Sequence, residues 1–422
     1  MPDLSTRRKA IVLLSGNHLC HNPRALKEAD ALSAAGYDVE LLGGWYDEER
    51  AERDRALLQN RTWRFVPVVD WTKPSISARI QRQVQRAKSR IGRELHRCLN
   101  LENRWQLGYS TGKLLGAALS RNADLYIAHS EPAMWAAARL LKRGRRVGVD
   151  MEDWFSEDLL PEVRRQRPVK LLRRLEQGVL SRAGHATCTS RAMAEALAQE
   201  YGCETPVVIY NAFAWSDRAD IDGLIKDRRD RRLPSIHWYS QTLGAGRGLE
   251  DLISALPFIK HDAAIHLRGK PAAGFREWLS AQIPANWHDR VFIHDLVPND
   301  ELLSRIAEHD IGFAGEQKYC RSRDLTVTNK ILHCLLGGLV VVASDTTGQR
   351  EVAEQARGAV QLYRAGDHQD LAIKLNYLLS SPSGLAQAKE AALAAARETF
   401  CWERQAAKLL RSIERALLGE SE

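Results

Sequence analysis

Short, wholly apolar runs recur along the chain, and each ends in a small or polar turn. The run 10–15 closes in Ser15-Gly16-Asn17, the pattern of a parallel strand buried on both faces and feeding a loop. Pro23 opens a helix predicted through Ala35, and Gly36 stops it. The next apolar run, 39–42, completes a β-loop-α-β unit of the kind that builds a nucleotide-type sheet. Further strands are predicted over 63–68, 124–128, 146–150, 186–189 and 206–210, with helices in the gaps. A second series follows: 235–239, 264–268, 290–294, 311–314, 339–343 and 359–363. Asp, Arg and Lys dominate 211–233, which is the expected hinge. The pattern therefore predicts an α/β chain of two doubly wound, Rossmann-like domains. The first covers 1–214 together with a last helix over 402–422, and the second covers 215–401.

One segment breaks this rhythm. Ile76, Ile80, Val84, Ala87, Ile91 and Leu95 recur every three or four positions and form one apolar stripe on a helix. The rest of that helix carries Arg79, Arg82, Arg86, Lys88, Arg90, Arg93 and Arg97 against Glu94 alone. Such a helix suits an anionic membrane surface through 76–97. The plainer alternative packs the stripe on the first domain and leaves a solvated cationic face.

Composition narrows the class. A chain of 422 residues exceeds one ordinary core, and 44% hydrophobic with 27% charged residues excludes disorder. The net charge of +8 points to an anionic partner without naming it. The cysteines at 20, 98, 188, 203, 320, 334 and 401 form no CxxC pair, as expected of reduced thiols in a cytoplasmic setting. The apolar run 11–14 is too short for a signal-peptide core. No window approaches the roughly 18 apolar residues of a membrane span.

Candidate chemistry gathers where strands end, because doubly wound sheets hold ligands at their carboxyl edges. His129 ends the strand 124–128. Gly16 and Asn17 follow the first strand, where backbone amides would approach a phosphate or an acceptor. Asp150 and Glu152 follow another strand end, where carboxylates would orient an acceptor hydroxyl. The richest stretch is 316–351. It reads as a loop, a buried helix with Lys330 near its start, the strand 339–343 and a glycine turn, a corner suited to an anionic ligand. His18, Cys20 and His21 superficially suggest a metal, but their spacing matches no common zinc pattern, and no metal is expected.

The order of these motifs resembles retaining glycosyltransferase family 4. Residues 176–191 (EQGVLSRAGHATCTSR) are similar to the helix-strand-serine passage of that family. Val208-Ile209-Tyr210-Asn211 is similar to its inter-domain strand end, although Ala212 stands where glycine is usual. Gly246-Arg247-Gly248-Leu249 matches the turn after the first strand of the second domain. VVASD at 341–345 and Gly348 match the strand and turn after the donor helix, and Phe400-Cys401-Trp402 matches the break before the last helix. The resemblance covers nearly the whole chain.

It implies a GT-B fold, two Rossmann-like domains across a cleft with the last helix crossing back to the first. The first domain would bind the acceptor and the second the donor. It also implies transfer of a sugar, of hexosyl type, from a nucleotide-diphosphate donor with retention of configuration. Positive side chains and helix starts, not a metal or cofactor, would stabilise the departing diphosphate. Arg247 and Lys330 would be phosphate partners, and His129 would contact the donor sugar. Gln241 occupies the place of a usual arginine; Arg268 or Arg321 would have to substitute. The usual glutamate pair falls on Leu325 and His333, neither of them acidic. Glu316 after a loop insertion, or backbone groups of Thr328 and Asn329, would then hold the donor.

The leading reading is a transferase for surface polysaccharide, cytoplasmic and peripheral on the inner membrane face, acting on a glycan or lipid-linked acceptor. A nucleotide-sugar epimerase of the same fold is the first alternative. A non-catalytic nucleotide-sugar-binding protein is the second. Nucleic acid is not an expected partner, since no recognised motif accompanies the basic residues.

Overall fold

All strands of the first sheet run parallel. In chain order they are β1 Ala10–Leu14, β2 Asp38–Trp45, β3 Arg64–Asp70, β4 Leu125–Ala128, β5 Val147–Met151, β6 His185–Cys188 and β7 Val207–Val208. Their order across the sheet is β3-β2-β1-β4-β5-β6-β7. The order reverses between β1 and β4, so the loops after these two strands diverge and leave a crevice at their carboxyl ends. A computed structural model of the chain describes residues 7–228, 233–244 and 246–419. Part of the expected hinge, 229–232, and the N-terminal residues 1–6 lie outside this range.

The second sheet is also parallel and has the order β10-β9-β8-β11-β12-β13. Its strands are β8 Ser235–Leu243, β9 Ala264–Pro271, β10 Val291–His294, β11 Ile311–Ala314, β12 Val340–Ser344 and β13 Val360–Tyr363. Here the order reverses between β8 and β11. Ile236, Trp238, Leu267, Phe313 and Val342 lie in its core, with Leu252 and Leu375 from the covering helices. Strands buried on both faces have to be apolar throughout, and this is why the runs stood out in the sequence.

Two compact units result. The first takes the chain up to Thr189, then Met193–Ile209 and the residues from Ala406 onward. The second takes Ser190–Ala192 and Tyr210–Gln405. The helix Trp402–Leu418 starts just after Phe400 and Cys401, and from Ala406 it belongs with the first unit. There Ser412 Oγ lies 2.8 Å from His185 Nδ1.

Candidate functional site

In the first unit the carboxyl ends of β1, β4 and β5 converge on a buried ion cluster. Asn22 caps the helix Pro23–Ala34 by accepting from the Ala25 amide, and the helix carries Arg24 and Glu28 inward. Arg24 grips Asp150 with two donors, Nε to Oδ2 at 2.5 Å and Nη2 to Oδ1 at 2.8 Å. Its Nη1 donates to the Ile209 carbonyl at 2.6 Å. Thr187 Oγ1 also donates to Asp150, at 2.6 Å. His129 stands between two carboxylates, with Nε2 3.1 Å from Glu28 and Nδ1 3.3 Å from Asp150. Burial disfavours its charge, but Glu28 and Asp150 outweigh burial and raise it to about 10. Burial likewise works against the Asp150 charge, and Arg24 and His129 override it, holding that carboxyl well below the usual range.

This geometry bears on two expectations. His129 was expected to meet a donor sugar and Asp150 an acceptor hydroxyl. The His129 side chain is only 1% exposed and, like Asp150, is spent on internal partners. They form an interior charge lattice that ties strand ends together, because a buried charge persists only when paired. Gly16 also departs from its expected role. Its amide donates to the Leu42 carbonyl at 2.9 Å, and its own carbonyl accepts from the Tyr46 hydroxyl at 2.6 Å. Glycine is required there because φ is +69° and a Cβ would collide with Ser110. Asn17 is exposed beyond it. Glu152 is half-buried after β5. Burial, with Asp153 and Asp150 nearby, pushes its carboxyl up to about 7, so it can take or give a proton near neutrality.

Two groups of metal-type side chains come together among the described residues: His18, Cys20 and Asp54, and Glu28, His129 and Asp150. In the first, His18 Nδ1 lies 3.2 Å from Asp54 and Nε2 accepts from the Tyr46 amide at 2.8 Å. Asp54 additionally accepts from the Leu19 and Cys20 amides at 3.0 and 2.7 Å. Burial pushes the Cys20 thiol up to about 12. In the second, Arg24 already occupies Asp150.

In the second unit a cavity of about 210 Å³ opens at the carboxyl ends of β8 and β9. Gln241, Arg268, Asn329 and Lys330 all line it, with Tyr239 and Ser240 from β8 and Leu296 and Val297 after β10. Asn329 and Lys330 begin the helix Asn329–Gly337. Thr328 precedes them and its side chain makes no capping bond, so the helix points uncapped first-turn amides toward this end. Lys330 Nζ is 2.6 Å from Glu316 Oε1. Ser344, at the end of β12, fixes Glu316 by accepting from its amide at 2.8 Å and donating to its carbonyl at 2.7 Å. Burial opposes the Glu316 charge, yet Lys330 and Arg323 hold its carboxyl below the usual range. Arg247 is exposed on its glycine turn and donates to Ser240 Oγ at 3.0 Å. Gly248 has φ +78°, and a Cβ there would run into the Gly315 carbonyl.

Five of the seven expected donor residues therefore connect to this cavity, Gln241, Asn329 and Lys330 directly, Glu316 through Lys330 and Arg247 through Ser240, while Gly16 belongs to the first unit. Thr328 adjoins Asn329 in the chain. Of the two substitutes for the missing arginine, Arg268 lies in the cavity wall and pairs with Asp227. Arg321 is exposed and does not line it. At the glutamate positions, His333 stacks on Phe213 with ring centroids 3.9 Å apart and places Nδ1 3.0 Å from the Tyr239 hydroxyl. The Leu325 carbonyl accepts from Ser190 at 2.6 Å.

Comparisons with known proteins bear on the family and the fold. Residues 24–213 match the model of Glycosyltransferase Family 4. The chain is family 4-like over that stretch, and its fold is GT-B. Sucrose-phosphate synthase from Thermosynechococcus elongatus is 14% identical with a TM-score of 0.68, over 98% of this chain and 100% of that one. HepE of Anabaena, solved in complex with UDP, is 17% identical with a TM-score of 0.66, over 96% and 99%. A UDP-N-acetylglucosamine 2-epimerase from Listeria monocytogenes follows at 13% identity and 0.55, over 98% of each chain. None of the curated proteins matches this sequence. Among the described residues, no helix is long and apolar enough to cross a membrane.

Sequence reasoning missed a histidine cluster beneath the cavity. His237 stacks on His309 at 4.4 Å, and His266 lies 4.7 Å from His309 and 5.2 Å from His294. Asp227 accepts from Arg268 and has His294 Nδ1 at 3.4 Å. His237 and His266 are register partners on β8 and β9. That alignment across strands was the available signal, and it is invisible without the pairing.

Proposed function

We propose that this chain transfers a sugar from a nucleotide-diphosphate sugar to a glycan or lipid-linked acceptor, with retention of configuration and without a metal or cofactor, in surface polysaccharide synthesis. One observation carries the reading. Lys330, Gln241, Asn329 and Arg268 line one cavity at the switch point of the second sheet, with Arg247 hydrogen-bonded to its rim. That is where doubly wound sheets hold nucleotides. The match of the first unit to a glycosyltransferase family supports it, as does the likeness of fold to a protein solved with UDP.

In this reading the bond between the anomeric carbon and the diphosphate oxygen breaks, the acceptor oxygen takes its place on the same face, and the acceptor's proton passes to the departing diphosphate. Charge grows on the leaving diphosphate. Arg247 supplies a planar, two-pronged cation, and Lys330 keeps donors beyond the one given to Glu316. The uncapped amides at Asn329 and Lys330 add partial positive charge. Glu152 and Asn17 orient the acceptor. His129 and Asp150 position the strand ends and do not touch substrate.

Calorimetric titration with UDP and GDP, followed by transfer assays with their sugar conjugates, tests this. Binding of neither nucleotide removes the donor site. A second reading rests on Leu325 and His333, which replace the usual acidic pair: a protein that binds nucleotide sugar without transferring it. Tight binding with neither transfer nor donor hydrolysis would favour that reading, and interconversion of the free nucleotide sugar would favour an epimerase.

A further inference from the structure

The helix Ile76–Leu99 packs with its polar side inward. Its buried residues are Ala78, Ser89 and Gly92. A Cβ at Gly92 would stand 2.7 Å from Asn103 Oδ1 and 3.1 Å from Trp105 Cβ. Asn103 also donates to the Gly92 carbonyl at 3.2 Å. The small residues thus allow the helix to rest closely on the loop that follows it. The apolar stripe faces elsewhere. Ile76 is 76% exposed, Ile80 58%, Val84 43% and Ile91 51%. At 3.6 residues per turn, the stripe lies roughly 150° around the helix from the buried face. A single exposed isoleucine is ordinary, but a continuous apolar line on one helix marks an interaction surface. The plainer alternative, that the stripe packs on the first domain, is therefore not met.

Charge identifies the occupant. The helix carries seven lysines and arginines against one glutamate. Arg79, Arg86, Arg90, Arg93 and Arg97 all fall on one flank of the stripe at helical spacing. Arg82 and Arg86 reach over the Trp71 ring, at 5.6 and 5.8 Å from its centroid. A second copy of the chain would meet this surface with the same cations, and like charges would oppose the contact. Nucleic acid would satisfy the arginines and leave the isoleucines in water. An anionic lipid surface satisfies both at once, with acyl chains for the stripe and phosphates for its flank.

We propose that the helix Ile76–Leu99 lies in the headgroup layer of an anionic bilayer, with Ile76, Ile80, Val84 and Ile91 inserted and the arginine flank on lipid phosphates. The inference needs no substrate, so it stands or falls separately from the transferase reading. The test is co-sedimentation of the full chain with phosphatidylcholine vesicles, with and without phosphatidylglycerol. Binding is expected to be at least roughly tenfold tighter with the anionic lipid and to weaken as salt is raised. The triple variant Ile76→Ser, Ile80→Ser, Ile91→Ser alters only exposed side chains and should lose roughly tenfold or more of that binding while keeping the parent's unfolding midpoint. Equal retention on neutral and anionic vesicles overturns the proposal, as does a triple variant that binds like the parent. A parent that is dimeric by light scattering, with the triple variant monomeric, would assign the stripe to a second copy and overturn it too.

Discussion

Lys330 Nζ sits 2.6 Å from Glu316 Oε1 in the second unit, and 5.7 Å from the centroid of the Trp238 ring. One lysine thus neutralises a buried carboxylate and leaves its remaining donors for the cavity it lines. The structural role of this residue and its proposed donor role therefore coincide and have to be separated by design.

Lys330→Ala should cost about 3 kcal/mol of stability, because removing one partner strands the other charge in the interior. Adding Glu316→Gln removes the stranded charge and should restore most of that loss in urea unfolding. If Lys330 also holds the diphosphate, the double variant recovers stability without recovering UDP affinity in calorimetry. Recovery of both would reduce Lys330 to a structural role.

Arg247 offers the cleaner probe of the phosphates. It is exposed and bonded only to Ser240 among the hydrogen bonds described, so Arg247→Ala should leave stability within about 0.5 kcal/mol. Nucleotide-diphosphate affinity should fall roughly tenfold, the size of one lost charge-assisted hydrogen bond. A nucleoside without phosphates should be indifferent to the change. Unaltered UDP affinity removes Arg247 from the site.

His129 carries a pH signature. Its value rises from 6.5 to about 10 on folding, so its contribution to stability is complete below 6.5 and is lost as pH climbs through about 10. Urea unfolding between pH 7 and 10 should show stability declining. His129→Gln should lower stability by about 3 kcal/mol at neutral pH, since Glu28 and Asp150 lose a shared cation, and should flatten the decline. A variant with the parent's slope would show that His129 is neutral in the fold.

The histidines of the second unit act with the opposite sign. Burial and neighbouring imidazoles lower His266 from 6.5 to about 3 and hold His237 well below its usual value. His309 is lowered as well, by burial against the pull of Asp227. The unfolded chain then takes up protons that the folded chain refuses, so stability is full above 6.5 and falls as pH drops toward 3. His237→Phe, which keeps a flat ring with no titrating nitrogen, should lessen this loss. An unchanged acid limb would locate acid sensitivity elsewhere.

The pattern along the chain was enough to specify the architecture. Strands buried on both faces must be apolar end to end, so 10–15, 311–314 and 339–343 announced themselves. Parallel strands need crossover helices, so alternation implied two doubly wound sheets. It also singled out Lys330 as a candidate for the proposed donor site, because ligands gather at strand carboxyl ends and helix starts. Tertiary structure decided which polar groups remain available. Nothing along the chain links Arg24 and Glu28 to His129 and Asp150, yet these four meet in the interior and cancel one another. Nor does spacing say which side of an amphipathic helix faces inward. The close approach of Gly92 to Asn103 decides that, and leaves the isoleucines outside. Periodicity records side-chain order, but burial is a property of neighbours distant in sequence.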